Sequence, residues 1–210
     1  MPKGCYIVFE GVVGTGKTTQ SKRFAEVLQT HFPDREIIWT REPGGDGIAE
    51  AIRDIVQAKT FTVTMDPVCE AYLFAAARAQ SLRSIVKPAV ERGAIVIADR
   101  NYVSSVAFQG FGRGLGMDTI LKINDEAIQA CNPDFIVFLD VPLEVALART
   151  SDRAGDKFES LDRNFFEKVE NGYRTMAQHD LVKDVWHTLD AQGSIEDVFQ
   201  RIETLIKPCL

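Results

Sequence analysis

Five short, almost uninterrupted apolar runs punctuate the chain: Tyr6-Ile7-Val8-Phe9, Ile37-Ile38-Trp39, Ala94-Ile95-Val96-Ile97-Ala98, Phe135-Ile136-Val137-Phe138-Leu139 and the weaker Val185-Trp186-His187-Thr188-Leu189. Apolar residues in succession, rather than at alternate positions, read as strands covered on both faces, the pattern of a parallel sheet. Between the runs the pattern changes to a spacing of three and four. Residues 17–31 carry Phe24, Val27, Leu28 and His31 on one helical face, and residues 68–91 carry Tyr72, Leu73, Ala76, Ala79, Leu82, Ile85 and Val86. Stretches 118–131, 142–150, 162–179 and 194–207 look similar. Strands alternating with helices need crossover connections, so the pattern predicts a doubly wound α/β fold, five parallel strands with helices on both faces. Ligands of such sheets bind beyond the carboxyl ends of the strands, so the residues just after each run are the ones to read for chemistry.

The 210 residues suit one domain, and no linker or repeat divides residues 1–210. A chain that is 45% hydrophobic and 26% charged is not wholly disordered. Its net charge of −6 disfavours a general nucleic-acid coat or an anionic-membrane binder, so any anionic ligand must be drawn in by local basic clusters. No apolar run is long enough for a membrane span, and the first residues lack the apolar core of a signal peptide. Cys5, Cys69, Cys131 and Cys209 are scattered without a CxxC pair, which fits reduced thiols in a cytoplasmic protein. His31, His179 and His187 have no partners at metal-ligand spacing.

The first run leads into Gly11-Val12-Val13-Gly14-Thr15-Gly16-Lys17-Thr18-Thr19, a full match to G-x-x-x-x-G-K-[ST] between a strand and a helix. Glycines let main-chain N–H groups wrap phosphates with no Cβ in the way. Lys17 puts a point charge on the β- and γ-phosphates, Thr18 offers a hydroxyl to Mg²⁺, and the following helix adds its positive end. A nucleoside triphosphate with Mg²⁺ follows, on a P-loop NTPase fold. The loop alone does not choose the reaction, because switches, motors, synthetases and kinases all use it.

Asp99-Arg100-Asn101-Tyr102 closes the third run. An acid there reaches the Mg²⁺ shell through water, and the adjacent guanidinium can bridge phosphates. Glu10, just before the loop, is placed to position Mg²⁺ or an acceptor phosphate, and as a buried carboxylate it needs a cation such as Mg²⁺ or Arg100. Thr40-Arg41-Glu42-Pro43-Gly44-Gly45 follows the second run and demands a special turn; in the simplest reading Arg41 and Glu42 pair with each other. Phe74 and Arg78, four apart, share a helix face. The ring can stack on a pyrimidine while the guanidinium donates to a base carbonyl, although spacing alone favours a core aromatic.

Phe9-Glu10-Gly11, Arg41-Glu42-Pro43-Gly44-Gly45, Phe74 with Arg78, Asp99-Arg100, Phe108-Gln109-Gly110 and Asp190-Ala191-Gln192 occur in the order found in thymidylate kinases. The resemblance covers nearly the whole chain. It implies transfer of the ATP γ-phosphoryl group to dTMP, giving ADP and dTDP, with Mg²⁺, by a homodimer joined through the long 68–91 helix and a neighbour. It assigns thymine stacking to Phe74 and a hydrogen bond to the base to Arg78. It places Arg53 on the acceptor phosphate, Ser105 and Gln109 at the base, Pro43 and Tyr173 near the acceptor, and Gln192 near the adenine. Phe108 packs against the sugar and disfavours a 2′-hydroxyl. Residues about 149–159 become a mobile lid over ATP. Some relatives carry an arginine inside the phosphate loop; here Val13 and Gly14 bear no charge, so the resemblance is to the bacterial type, with Arg153 supplying transition-state charge and Arg149 next in line. Asn101 stands where many relatives have Tyr or His, and Lys157 where Arg is common. Two rival readings remain at this point: a deoxynucleoside kinase, and a P-loop switch or binding protein with no acceptor pocket. The Arg41–Gly45 motif and the lid spacing weigh against the first, and Phe74 with Arg78 against the second.

Overall fold

The computed structural model describes residues 3–57, 61–129, 131–150 and 162–206. All five apolar runs are strands, each displaced from its expected bounds by no more than two residues: β1 Cys5–Glu10, β2 Ile37–Arg41, β3 Ile95–Asp99, β4 Phe135–Asp140 and β5 Trp186–Asp190. They form one parallel sheet in the order β2-β3-β1-β4-β5. Every residue of β3 is buried, which requires cover on both faces and explains its unbroken apolar sequence. Phe9 and Arg41 stand level with Asp99, so Glu10, Glu42 and Arg100 emerge together at the carboxyl edge.

The helices are α1 Lys17–His31, α2 Gly47–Gln57, α3 Pro67–Ser81, α4 Lys87–Glu91, α5 Tyr102–Ser105, α6 Met117–Ile128, α7 Leu143–Ala148, α8 Arg163–Met176 and α9 Ile195–Ile206. Among the described residues, no helix is long and apolar enough to cross a membrane. Residues 68–91 were expected as one helix. Instead α3 widens into a π-helical turn, Leu82–Val86, before α4. Pro88 explains the widening: it has no N–H for the carbonyl four residues back, and its ring would crowd that carbonyl. Two elements escaped the apolar pattern. In α2, Ala49 and Val56 face the interior while Ile48 and Ile55 are exposed, so its apolar positions serve two sides. The other is α5 with the π-helical turn Val106–Gly112, rich in serine and glycine. That turn lies under α8 at such close range that a Cβ on Gly172 would stand 2.8 Å from Ala107 Cα. The buried aromatic and aliphatic residues of the sheet, α1, α8 and α9 join in one core.

Candidate active site

The phosphate loop begins as β1 ends. Gly14 sits at φ +75°, and a Cβ there would meet the Ala146 carbonyl oxygen at 2.1 Å, so α7 closes against bare backbone. The Lys17 ammonium is buried, donating to Val12 O at 2.6 Å and Thr15 Oγ1 at 3.3 Å. Burial, helped by the nearby Arg100, lowers its pKa to about 7, against the pull of Asp99 and Glu10. Phosphates would return the missing negative charge. At pH 8 the free site is therefore mostly neutral amine and the ATP-bound site an ammonium, so binding takes up about one proton. Below pH 6 the amine is charged in both states and Lys17 contributes no uptake. Calorimetry in two buffers of different ionisation heat reads this directly, and zero uptake at pH 8 would refute it.

The Thr18 hydroxyl donates to Asp99 Oδ2, across 81 positions of chain. Asp99 Oδ1 is buried with no hydrogen-bond partner among the described residues. A hydroxyl oxygen beside an unsatisfied carboxylate oxygen is a donor set of the hard-oxygen type that Mg²⁺ takes, with water completing the shell, so these residues fit that ion.

Glu10 fits it less well. Fully buried, it accepts from Asn101 N (2.9 Å) and Ser104 N (3.2 Å) on Oε1, and from Ser104 Oγ (2.7 Å) and Tyr173 Oη (2.9 Å) on Oε2. With four donors in place, Glu10 ties the start of α5 and α8 to β1. Arg100 is the cation beside it, at 3.8 Å. Arg100 holds φ +78°, an uncommon value for a side-chain-bearing residue, and its Nη1 donates to Gly11 O, Ser104 Oγ and Tyr173 Oη at 2.9–3.0 Å. Tyr173 also departs from expectation. Its hydroxyl donates to Glu10 and Gly11 O, burial and the Glu10 charge push its pKa far up, and it does not line the cavity. It braces the site from below.

A cavity of about 230 Å³ opens at the carboxyl edge. Its lining brings Val13, Gly14, Lys17, Thr18, Asp99 and Arg100 together with Pro43, Arg53, Phe74, Arg78, Ser105, Phe108 and Gln109. Arg53 Nη1 donates to Pro43 O at 2.9 Å. Phe74 is half-buried against the core, and the Arg100 guanidinium lies 5.1 Å from the Phe108 ring centre. Arg78 is only 2% exposed. It donates from Nε to Glu42 Oε2 at 2.6 Å, from Nη1 to Asn124 Oδ1, and from Nη2 to Ser105 Oγ at 3.1 Å and Asn101 O at 3.2 Å. Burial pushes the Glu42 carboxyl up and Arg78 draws it back. The expected Arg41–Glu42 pair is thus overturned: neighbours along a strand point to opposite faces, and Arg41 turns to Glu50 at 2.8 Å.

Asn101 spends its Oδ1 on Val103 N as the N-cap of α5, leaving a buried Nδ2 unpartnered among the described residues. Gln192, expected near adenine, lies outside the cavity lining; it is exposed and bonded to Asp190. Arg149, exposed at the end of α7, also lies outside that lining, whereas Thr150 belongs to it. Arg153, Lys157 and most of the expected lid lie outside the described residues. Sequence reasoning missed Ser104, Glu42, Asn124 and Glu70 as supports. Only Ser104 left a local signal, standing three residues after Asn101 in a helix start.

A family model described as thymidylate kinase matches residues 9–202. A thymidylate kinase of Leuconostoc mesenteroides is 42% identical, covering 94% of this chain and 94% of its own length. One of Finegoldia magna is 38% identical over 96% and 97% of the two chains. The crystal structure of a thymidylate kinase from Ehrlichia chaffeensis superposes with a TM-score of 0.78 at 28% identity, covering 98% of this chain and 99% of that one. Similarity that runs unbroken from β1 into α9, across every strand that brings a charged group to the cavity, makes this chain a member of the thymidylate kinase family.

Proposed function

We propose that this chain transfers the γ-phosphoryl group of ATP to dTMP, giving ADP and dTDP. One observation carries the reading: the phosphate loop, Arg100 and the wall of Phe74, Arg78 and Gln109 line the same cavity. Two polyanions can then meet head to head. An oxygen of the acceptor phosphate attacks the γ-phosphorus as its bond to the β-bridging oxygen breaks, and the acceptor needs no proton removed. Thr18 and, through water, Asp99 would hold Mg²⁺, which would supply Lewis-acid charge at the donor phosphates. Main-chain N–H groups of residues 11–18 hold the donor, and Lys17 balances the charge that gathers on the leaving oxygen. Arg100, fixed by Glu10, Ser104 and Tyr173, offsets repulsion between donor and acceptor, and Arg53 holds the acceptor phosphate. Phe74 carries the thymine, Arg78, Ser105 and Gln109 read its edge, and Phe108 fills the space a 2′-hydroxyl would need.

A coupled assay with ATP·Mg²⁺ across dTMP, dUMP, dCMP, dGMP and thymidine tests this. dTMP should be the best acceptor, and preference for unphosphorylated thymidine overturns the proposal in favour of a deoxynucleoside kinase.

The same proposal makes residues about 149–159 a lid over ATP and Arg153 its transition-state charge. Arg153→Ala should lower kcat roughly ten- to a hundredfold with little change in the KM for dTMP. If Arg149→Ala alone does so, Arg149 holds that role. Residues 1–210 act as one nucleoside monophosphate kinase domain in the cytoplasm. A homodimer is supported by exposed Ile48 and Ile55 on α2 and Val68 and Tyr72 on α3, an apolar face suited to a second copy.

A further inference from the structure

Gln109 and Glu70 form a contact that the transfer chemistry does not use. Glu70, on α3, is 1% exposed. Its Oε1 accepts from Gln109 Nε2 at 2.9 Å and from Arg113 Nε at 3.2 Å, and its Oε2 accepts from Arg113 Nη2 at 3.1 Å. Gln109 is buried in the cavity wall beside Ser105, Arg78 and Phe108. An amide has two faces, one donating and one accepting, and its environment decides which faces the ligand. Here the donating face is taken by a carboxylate that accepts only. Turning the amide over would set Gln109 Oε1 against Glu70 Oε1, two acceptors in contact with a charge between them, in a place water does not reach.

We propose that Glu70 is a positioning residue for base choice: by holding one hydrogen of Gln109 Nε2 it fixes which way round the amide lies, so that Oε1 is the accepting atom offered to the base, which selects pyrimidines whose N3 carries a hydrogen. This rests on the reading of that wall as the base site. Thymine and uracil offer an N3–H donor; cytosine offers a bare acceptor there, which would meet Oε1 with no proton between them. The lock therefore separates dTMP and dUMP together from dCMP, and has no bearing on the thymine methyl.

That division makes the test internal to one variant. Glu70→Gln keeps the volume but can donate as well as accept, so the Gln109 amide can turn. The ratio of kcat/KM for dTMP over dCMP should fall about tenfold or more, while the ratio for dTMP over dUMP stays unchanged. Parallel loss with all three acceptors, or both ratios unchanged, overturns the lock. Glu70→Gln removes the Glu70 charge from beside Arg113; if that chain does not fold, Glu70→Gln with Arg113→Met removes both charges and the same two ratios decide. Gln109→Ala distinguishes the levels of failure. If it lowers dTMP over dCMP while the Glu70 variants do not, the lock alone is wrong. If it leaves that ratio intact, the wall does not read the base through Gln109, and the lock falls with that part of the proposed function.

Discussion

Lys17→Ala should lower kcat by about 10²–10³-fold while the KM for dTMP stays within about twofold. The Lys17 side-chain nitrogen donates to Val12 O and Thr15 Oγ1, both within the phosphate loop. Its worth rises as charge moves from the γ-phosphoryl group to the leaving oxygen, so its loss appears in the transition state more than in the ground state. Because the site is buried, no water supplies an equal charge when the side chain is removed. Steady-state kinetics with each substrate varied against saturation of the other separates the cases. A raised KM for ATP with kcat unchanged would mean that Lys17 only helps to bind ATP, and its place in the transfer step would be lost.

Arg78→Ala should cost about 3–5 kcal/mol of stability, because it strands a buried carboxylate. Glu42 loses the one side-chain partner it has among the described residues, and Asn124 Oδ1, Ser105 Oγ and the Asn101 carbonyl lose the same guanidinium. Burial already raises the Glu42 pKa, and removing Arg78 raises it further. An acid with a raised folded pKa favours the fold below its unfolded pKa and works against it as pH climbs through the folded one. The deficit against the parent chain should therefore be smaller at pH 5 than at pH 8. Urea denaturation at the two pH values measures it, and a loss under about 1 kcal/mol would show that solvent or another cation replaces Arg78. Arg78→Met with Glu42→Gln should recover much of the stability yet bind dTMP poorly, which separates the brace from base reading.

What could be read along the chain follows from how local each cause is. The strands were legible because a residue buried on both faces leaves an unbroken apolar run, as in β3. The phosphate loop was legible because its glycines and Lys17 act through backbone within a few residues. Glu42 looked like a partner for Arg41 because nothing local reveals that Arg78, 36 positions on, will reach it from α3. Tyr173 looked like a ligand contact for the same reason: its hydroxyl closes on Glu10 across 163 positions, a distance no spacing rule covers. Glu70 carried no signal, being one acid among many until Gln109 and Arg113 fold over it. The π-helical turns were hidden by serine and glycine in one case and, in the other, by a helical pattern that runs on across the bulge.

The strand order carries a consequence for the birth of the molecule. Among the described residues, β1 pairs only with β3 and β4, and β2 only with β3. A ribosome adding about 5–20 residues per second needs roughly 5–20 s to travel from β1 to the first residue of β3. Through that interval the oily stretch that will become the centre of the sheet has no strand to zip against, so its edges wait unpaired until β3 has been made.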